Sequence, residues 1–199
     1  MAQEVESVVG KSDEETTMKI IENNRIFAFD SKNEPVAEVM DGETVLFRTH
    51  DCFDNQLSEE GSCIGALNWD RINPATGPVY VENAKVGDVL KVEILEITLD
   101  KQGVMCALPE NGVLGSLVKE ESVKRIQVEE GKVHFNDKLV FDVTPMIGVI
   151  GVAPENGSIN CGTPGCHGGN MDNKRIKEGA SLYFPVFHDG ALFSLGDVH

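Results

Sequence analysis

No stretch of this sequence approaches the roughly 18 consecutive apolar residues of a membrane-crossing helix. Its start, MAQEVESVVGKSDEETTMKI, has no basic segment leading into an apolar run, as a secretory signal would. Basic residues are scarce: 17 Lys and Arg stand against 33 Asp and Glu, a formal net charge of -16. So acidic a surface repels phosphate backbones and anionic headgroups, so neither nucleic acid nor a membrane is expected as partner, and the expected compartment is the cytoplasm. Cysteine occurs only at positions 52, 63, 106, 161 and 166. An odd count at low density argues against a disulfide framework and for reduced thiols, with Cys161 and Cys166 open to metal or redox roles. Also missing is any sustained period near 3.6 with caps at both ends; the best helical candidate, 116–125, is short and mixed.

What is present suits one soluble domain: 199 residues, 41% hydrophobic and 25% charged. The first twenty residues are polar and acidic, so 1–19 is expected to be a flexible extension and 20–199 the folded domain. From Arg25 onward the apolar residues come in short Val-, Ile- and Phe-rich runs broken by Gly, Pro, Asn and Asp: IFAFD, PVAEVM, TVLFRT, VYVE, KVEILEI, KLVFDV and MIGVIGV. These are strand signals. The run 89–97 alternates Leu90, Val92 and Ile94 against Lys91 and Glu93, as a strand with one wet face would. Turn signals recur too irregularly for a solenoid or propeller, so the expected fold is mainly β, a sandwich or partly open barrel with few short helices.

Three polar tracts interrupt the strands. In the first, TVLFRT runs into His50 and Asp51, a nitrogen and an oxygen donor for a divalent cation, although neighbours on a strand point to opposite faces. Asp51 bonding the amides of a following turn is the plainer account. In the second, CGTPGCHGGNMDN, glycines flank His167; Gly168 and Gly169 permit a tight path with N–H groups aimed at a developing oxyanion, while a strain-relieving surface loop with a solvated histidine is the alternative. In the third, Asp197 and His199, two apart, project from one side of an extended chain as a ligand pair. A cysteine nucleophile, Cys52 or Cys166 with a nearby histidine, is a further reading, weakened because the adjacent Cys166 and His167 would diverge.

The tract 148–199, GVIGVAPENGSINCGTPGCHGGNMDNKRIKEGASLYFPVFHDGALFSLGDVH, resembles the signature stretch of the acetamidase/formamidase family; THDCFDNQL and NPATGPVYVENAKVGDVLKVEI resemble its earlier motifs in the same order. The likeness spans roughly 19–199, and several ordered motifs carry more weight than any single one. It implies a mostly β fold, a homodimer or larger assembly, and hydrolysis of formamide- or acetamide-class amides to carboxylate and ammonia. It implies a metal cluster at Asp51, His167, Asp197 and His199, with His50 beside it and Gly168, Gly169 and Asn170 in the adjoining loop. The implied cofactor is a divalent metal, zinc first, with calcium or manganese also suited to His/carboxylate donors. In the implied mechanism Asp51, His167 and His199 hold the metal, Asp197 moves the proton, and the N–H groups of Gly168 and Gly169 steady the oxyanion. Family members continue past the equivalent of GDVH, so the resemblance also implies a second chain supplying the remainder, or else a non-catalytic metal- or ligand-binding subunit or remnant.

Overall fold

In the computed structural model, which describes residues 3–7 and 18–199, the short β-branched segments become strands. They are, in chain order, β1 (Gln3–Ser7), β2 (Lys19–Ile21), β3 (Arg25–Ile26), β4 (Ala28–Asp30), β5 (Ala37–Val39), β6 (Val45–Thr49), β7 (Ala75–Val81), β8 (Val89–Thr98), β9 (Gln102–Ala107), β10 (Ser122–Glu129), β11 (Lys132–Asn136), β12 (Leu139–Asp142), β13 (Ile147–Gly151), β14 (Ser158–Asn160), β15 (Gly168–Asn170), β16 (Ser181–Pro185) and β17 (Phe193–Val198). Helix among the described residues is limited to single 3-10 turns at Ile64–Ala66, Trp69–Arg71 and Gly115–Leu117. The mainly β expectation holds, and no helix among the described residues is long and apolar enough to cross a membrane.

Two sheets form the body. One runs β16-β8-β1-β6-β2; the other runs β15-β13-β17-β7-β3, with β5 also paired to β7. They share one apolar core: Phe47 on β6 and Ile94 on β8 pack in the same cluster as Ile147 and Ile150 on β13 and Leu195 on β17. The Phe47 ring meets Phe193 edge-on at 5.7 Å between centroids. Burying each such ring contributes about 2–3 kcal/mol, so these contacts hold the layers together. A third sheet, β12-β11-β10-β9, stands beside the body. It is anchored by a small core in which Val104, Cys106 and Val123 pack on Leu57, Ile64 and Leu67.

The alternation of β8 is real but changes phase. Val92 and Ile94 are buried, and the next buried position is Ile97, not residue 96. The pairing with β1 explains this: Glu6 faces Glu96 while Ser7 faces Ile94, so Leu95 is an extra residue that flips the strand's faces. Two expectations differ from the structure. The segment 116–125 is not a helix: it contains a 3-10 turn and then enters β10, whose ladders to β9 and β11 outweigh a weak helical preference. Within the stretch 1–19, Gln3–Ser7 pair on both edges, with β6 and β8, and Lys19 opens β2; backbone pairing of this kind satisfies two otherwise open strand edges. The rest of that extension, apart from Met18, lies outside the described residues.

Phe47 is 1% exposed at the centre of this interface. Phe47→Ala is expected to cost about 3–5 kcal/mol, read as a lowered midpoint with unchanged slope in denaturant unfolding.

Candidate active site

Strand β13 lies between β15 and β17 and brings two distant segments together. Beyond β15 the chain stays on β13, with the Met171 N–H donating to Gly148 O at 2.9 Å and the Asp172 N–H to the same oxygen at 3.3 Å. On the other side Val149 faces Gly196 and Ile147 faces Val198, which sets Asp197 across from Gly148. A Cβ on Gly148 would sit 2.8 Å from both Asp172 Oδ1 and Asp197 Oδ2, so only glycine lets the two carboxylates converge there. His199 extends β17 through a reciprocal backbone pair with Met146, at 2.7 and 3.0 Å, and is thereby ordered rather than frayed. The ligand atoms of Asp172, Asp197 and His199 all lie within 4.8 Å of one another.

These groups stand in a cleft of ≈ 480 Å³ that Asp51, Cys52, Asn73 and Asn170 also line, together with Asp100 and Gln102. Asp51 Oδ1 accepts the N–H groups of Phe53 (2.9 Å) and Asn55 (2.8 Å), so it does shape the following turn while its carboxyl faces the cleft. Burial raises its pKa, the nearby Asp197 charge adds to the rise, and the two amides and His50 oppose it. Burial pushes the Cys52 thiol up as well, with Asp197 and Asp51 reinforcing the effect; a thiol so held does not supply a thiolate nucleophile. His199 is shifted up to about 8, chiefly by its hydrogen bond to Asp197, against partial burial and with the charge of Asp172 adding. Its Nδ1 lies 3.1 Å from Asp197 O, and with the proton on Nδ1 the other ring nitrogen, Nε2, is the one able to take a metal. Asn170 Oδ1 is buried and makes no hydrogen bond within the chain.

Of the residues picked out from sequence, Asp51, Cys52, Asn170, Asp197 and His199 line this cleft; His50, Cys161, Cys166, His167, Gly168 and Gly169 do not. His50 turns away from Asp51, its Nδ1 lying 2.8 Å from Asp54 Oδ1. It joins Arg25 (Nε at 2.9 Å) and Arg71 around that carboxylate, which is 6% exposed. A histidine engaged in this way serves the buried ion cluster, the outcome opposite-facing strand neighbours require. His167 is 1% exposed, packs edge-on against Phe29 at 5.1 Å, and has no hydrogen bond at either ring nitrogen; burial lowers its pKa and keeps it neutral. It is thus neither a cleft ligand nor a solvated loop residue.

Gly168 and Gly169 are explained by packing: a Cβ would meet Ile150 O at 2.2 Å and Thr163 O at 2.3 Å respectively. The Gly168 N–H donates to Gly165 O, so it is not turned to the cleft. Cys166 is exposed outside the cleft. Sequence reasoning missed Asp172, which the structure brings beside Asp197 and His199. It lies inside the glycine-histidine tract, and the only signal was a carboxylate two residues beyond Asn170; a strand made of Gly-Gly-Asn offers no periodicity to place it.

Chemically, two carboxylates and an imidazole within this spacing can share one cation at bond lengths of about 2.0–2.4 Å. A model of the acetamidase/formamidase family matches residues 14–160 and 159–199. An acetamidase from Bacillus halodurans superposes with a TM-score of 0.88 at 47% identity, covering 90% of this chain and 61% of that one. A predicted acetamidase/formamidase from the thermophile Thermoanaerobacter tengcongensis gives 0.88 at 50% identity, covering 92% and 61%. A Schizosaccharomyces pombe protein carrying a formamidase name is 25% identical over 227 residues, covering 83% of this chain and 55% of its own length. This chain therefore spans little more than half to three fifths of the relatives it matches.

The charged His199 is favoured by Asp197 and Asp172, so the stability this pairing contributes is fully present below pH 6.5 and is lost as pH rises through about 8. In the metal-free protein an NMR titration of His199 is expected to centre near 8. In Gly148→Ala, which forces the carboxylates apart, the midpoint falls toward 6.5.

Proposed function

The chain belongs to the acetamidase/formamidase family, and from that premise we propose that its cleft hydrolyses short amides of the formamide and acetamide class to the carboxylate and ammonia. The observation that carries this reading is the convergence of Asp172, Asp197 and His199, with Asp51 beside them, in one cleft. Amides resist water because resonance blunts the carbonyl and because the amine leaves only with a proton, so the site must supply a nucleophile, charge stabilisation and an acid.

The donor set suits a divalent cation, zinc first, with manganese or calcium also accommodated by carboxylate-rich ligation. Asp172, Asp197 and His199 would hold it, and when bound it supplies a water of lowered pKa and a Lewis acid for the carbonyl oxygen. Asp51 takes the proton of the attacking water and returns it to the departing ammonia, a role favoured by the burial that makes its carboxyl hold a proton more readily. Asn170 Oδ1, an acceptor without a partner in the chain, receives an N–H of the substrate's amide and so orients its carbonyl. His167 and the Gly168–Gly169 backbone keep the loop packed behind this constellation.

Because the chain spans 61% of the two bacterial structures, the activity of the whole relatives is here part of the proposal. A second polypeptide covering the remaining length, and assembly as a homodimer or larger, belong to the same reading. Metal analysis and ammonia release from formamide and acetamide test it, on this chain alone and together with such a polypeptide. Turnover is expected to fall at least about 100-fold on chelation and to return with zinc. Asp172→Ala is expected to lower metal content and turnover together. Full activity in a metal-free preparation refutes the metal reading.

A further inference from the structure

The groups proposed to act on the amide occupy one end of a much larger space. Acetamide fills about two to three waters' worth of volume, roughly 60–90 Å³, whereas the cleft holds ≈ 480 Å³. Much of the remaining lining is aliphatic, namely Leu99, Val104, Ile126, Val128, Val133 and Val198, with Asn73, Asp100 and Gln102 as its further polar members. Three of these make a continuous strip. Val128 faces Val133 directly across the β10–β11 ladder, and Ile126 is two residues along β10 on the same sheet face. The strip runs on to Phe141, which faces Val133 across the next ladder and is 46% exposed. Beside it Lys124 caps the ring of Phe135, its Nζ 4.0 Å from the ring centroid.

We propose that this cleft takes amides with a longer acyl group, aliphatic chains of about four to six carbons or an aryl ring. The amide end sits at Asp51, Asp172, Asp197 and His199, and the apolar tail lies along Ile126, Val128 and Val133. The inference rests on the amidase reading and assigns its substrate class. Burying a methylene on such a strip is favourable, while formamide and acetamide leave it in water. Hydrolysis breaks the acyl C–N bond, adds the elements of one water across it, and yields ammonia and a carboxylate. The new carboxylate faces three aspartates, so its repulsion drives release of the product while the neutral amide is admitted.

The test is a homologous series of formamide, acetamide, butyramide, hexanamide and benzamide. Binding to this chain is read by ligand-observed NMR, and kcat/KM by ammonia release. Affinity is expected to rise about three- to fourfold per added methylene, with kcat/KM rising in step. Val128→Phe fills the strip and lowers the hexanamide-to-acetamide ratio about tenfold; Val133→Leu, a smaller change on a half-buried position, lowers it in the same direction. Hexanamide binding no tighter than acetamide, or a ratio unmoved by both folded variants, overturns the assignment. Turnover confined to formamide and acetamide, without tail-dependent binding, removes the assignment and leaves the hydrolase reading standing. Tail-dependent binding with no turnover of any amide does the reverse.

Discussion

The antiparallel pairing of β13 with β17 is the contact on which both the core and the site depend. Every residue of the two strands is buried, and Ile147, Ile150, Leu195 and Val198 hold the two body sheets together. The same ladder puts Asp197 opposite Gly148, and β15 on the far edge delivers Asp172 to the same glycine. Stability and chemistry therefore share one register. A slip of a single residue would turn the aliphatic side chains outward and separate the carboxylates at once.

The aspartates of this region are treated in two ways. Asp54 is buried and surrounded by Arg25, Arg71 and His50, so its charge is matched by side chains the fold itself provides. Removing one partner of such a cluster is expensive because it strands the others. Asp51, Asp172 and Asp197 converge with His199 as their nearby cation, leaving an excess of negative charge in a space partly shielded from water. That imbalance is what a divalent cation would relieve, and it sets this cluster apart from the self-compensated one around Asp54 a few residues away.

Much of the architecture could be read from the sequence because β-branched runs report burial directly. TVLFRT, KVEILEI and MIGVIGV all became strands, and the alternation at Val92 and Ile94 was correct until Leu95 inserted an extra residue, which no local pattern announces. The site was legible in part. Asp197 and His199 share a strand side, a matter of parity, and Asp51 follows a strand end. His167 lies outside the cleft, and the sequence does not announce it: glycines around a histidine look alike whether they open a ligand site or let the chain pack where a Cβ would come within 2.2–2.3 Å of backbone oxygens, as at Gly168 and Gly169. Asp172 was missed because its partnership with Asp197 is created by strands on either side of Gly148, a tertiary fact without a sequence period.

Asp197 adopts φ 49° while its neighbours in β17 stay fully buried. Left-handed backbone is tolerable for Asp and Asn and costly for most other side chains with a Cβ. The position is consequently under two separate selections, one on conformation and one on charge, which most replacements violate together. Asparagine, which keeps nearly the same side-chain shape, satisfies the first while failing the second. In any collection of related or randomised sequences, an asparagine here would mark a protein that keeps the backbone path of this cleft while losing one of its converging carboxylates.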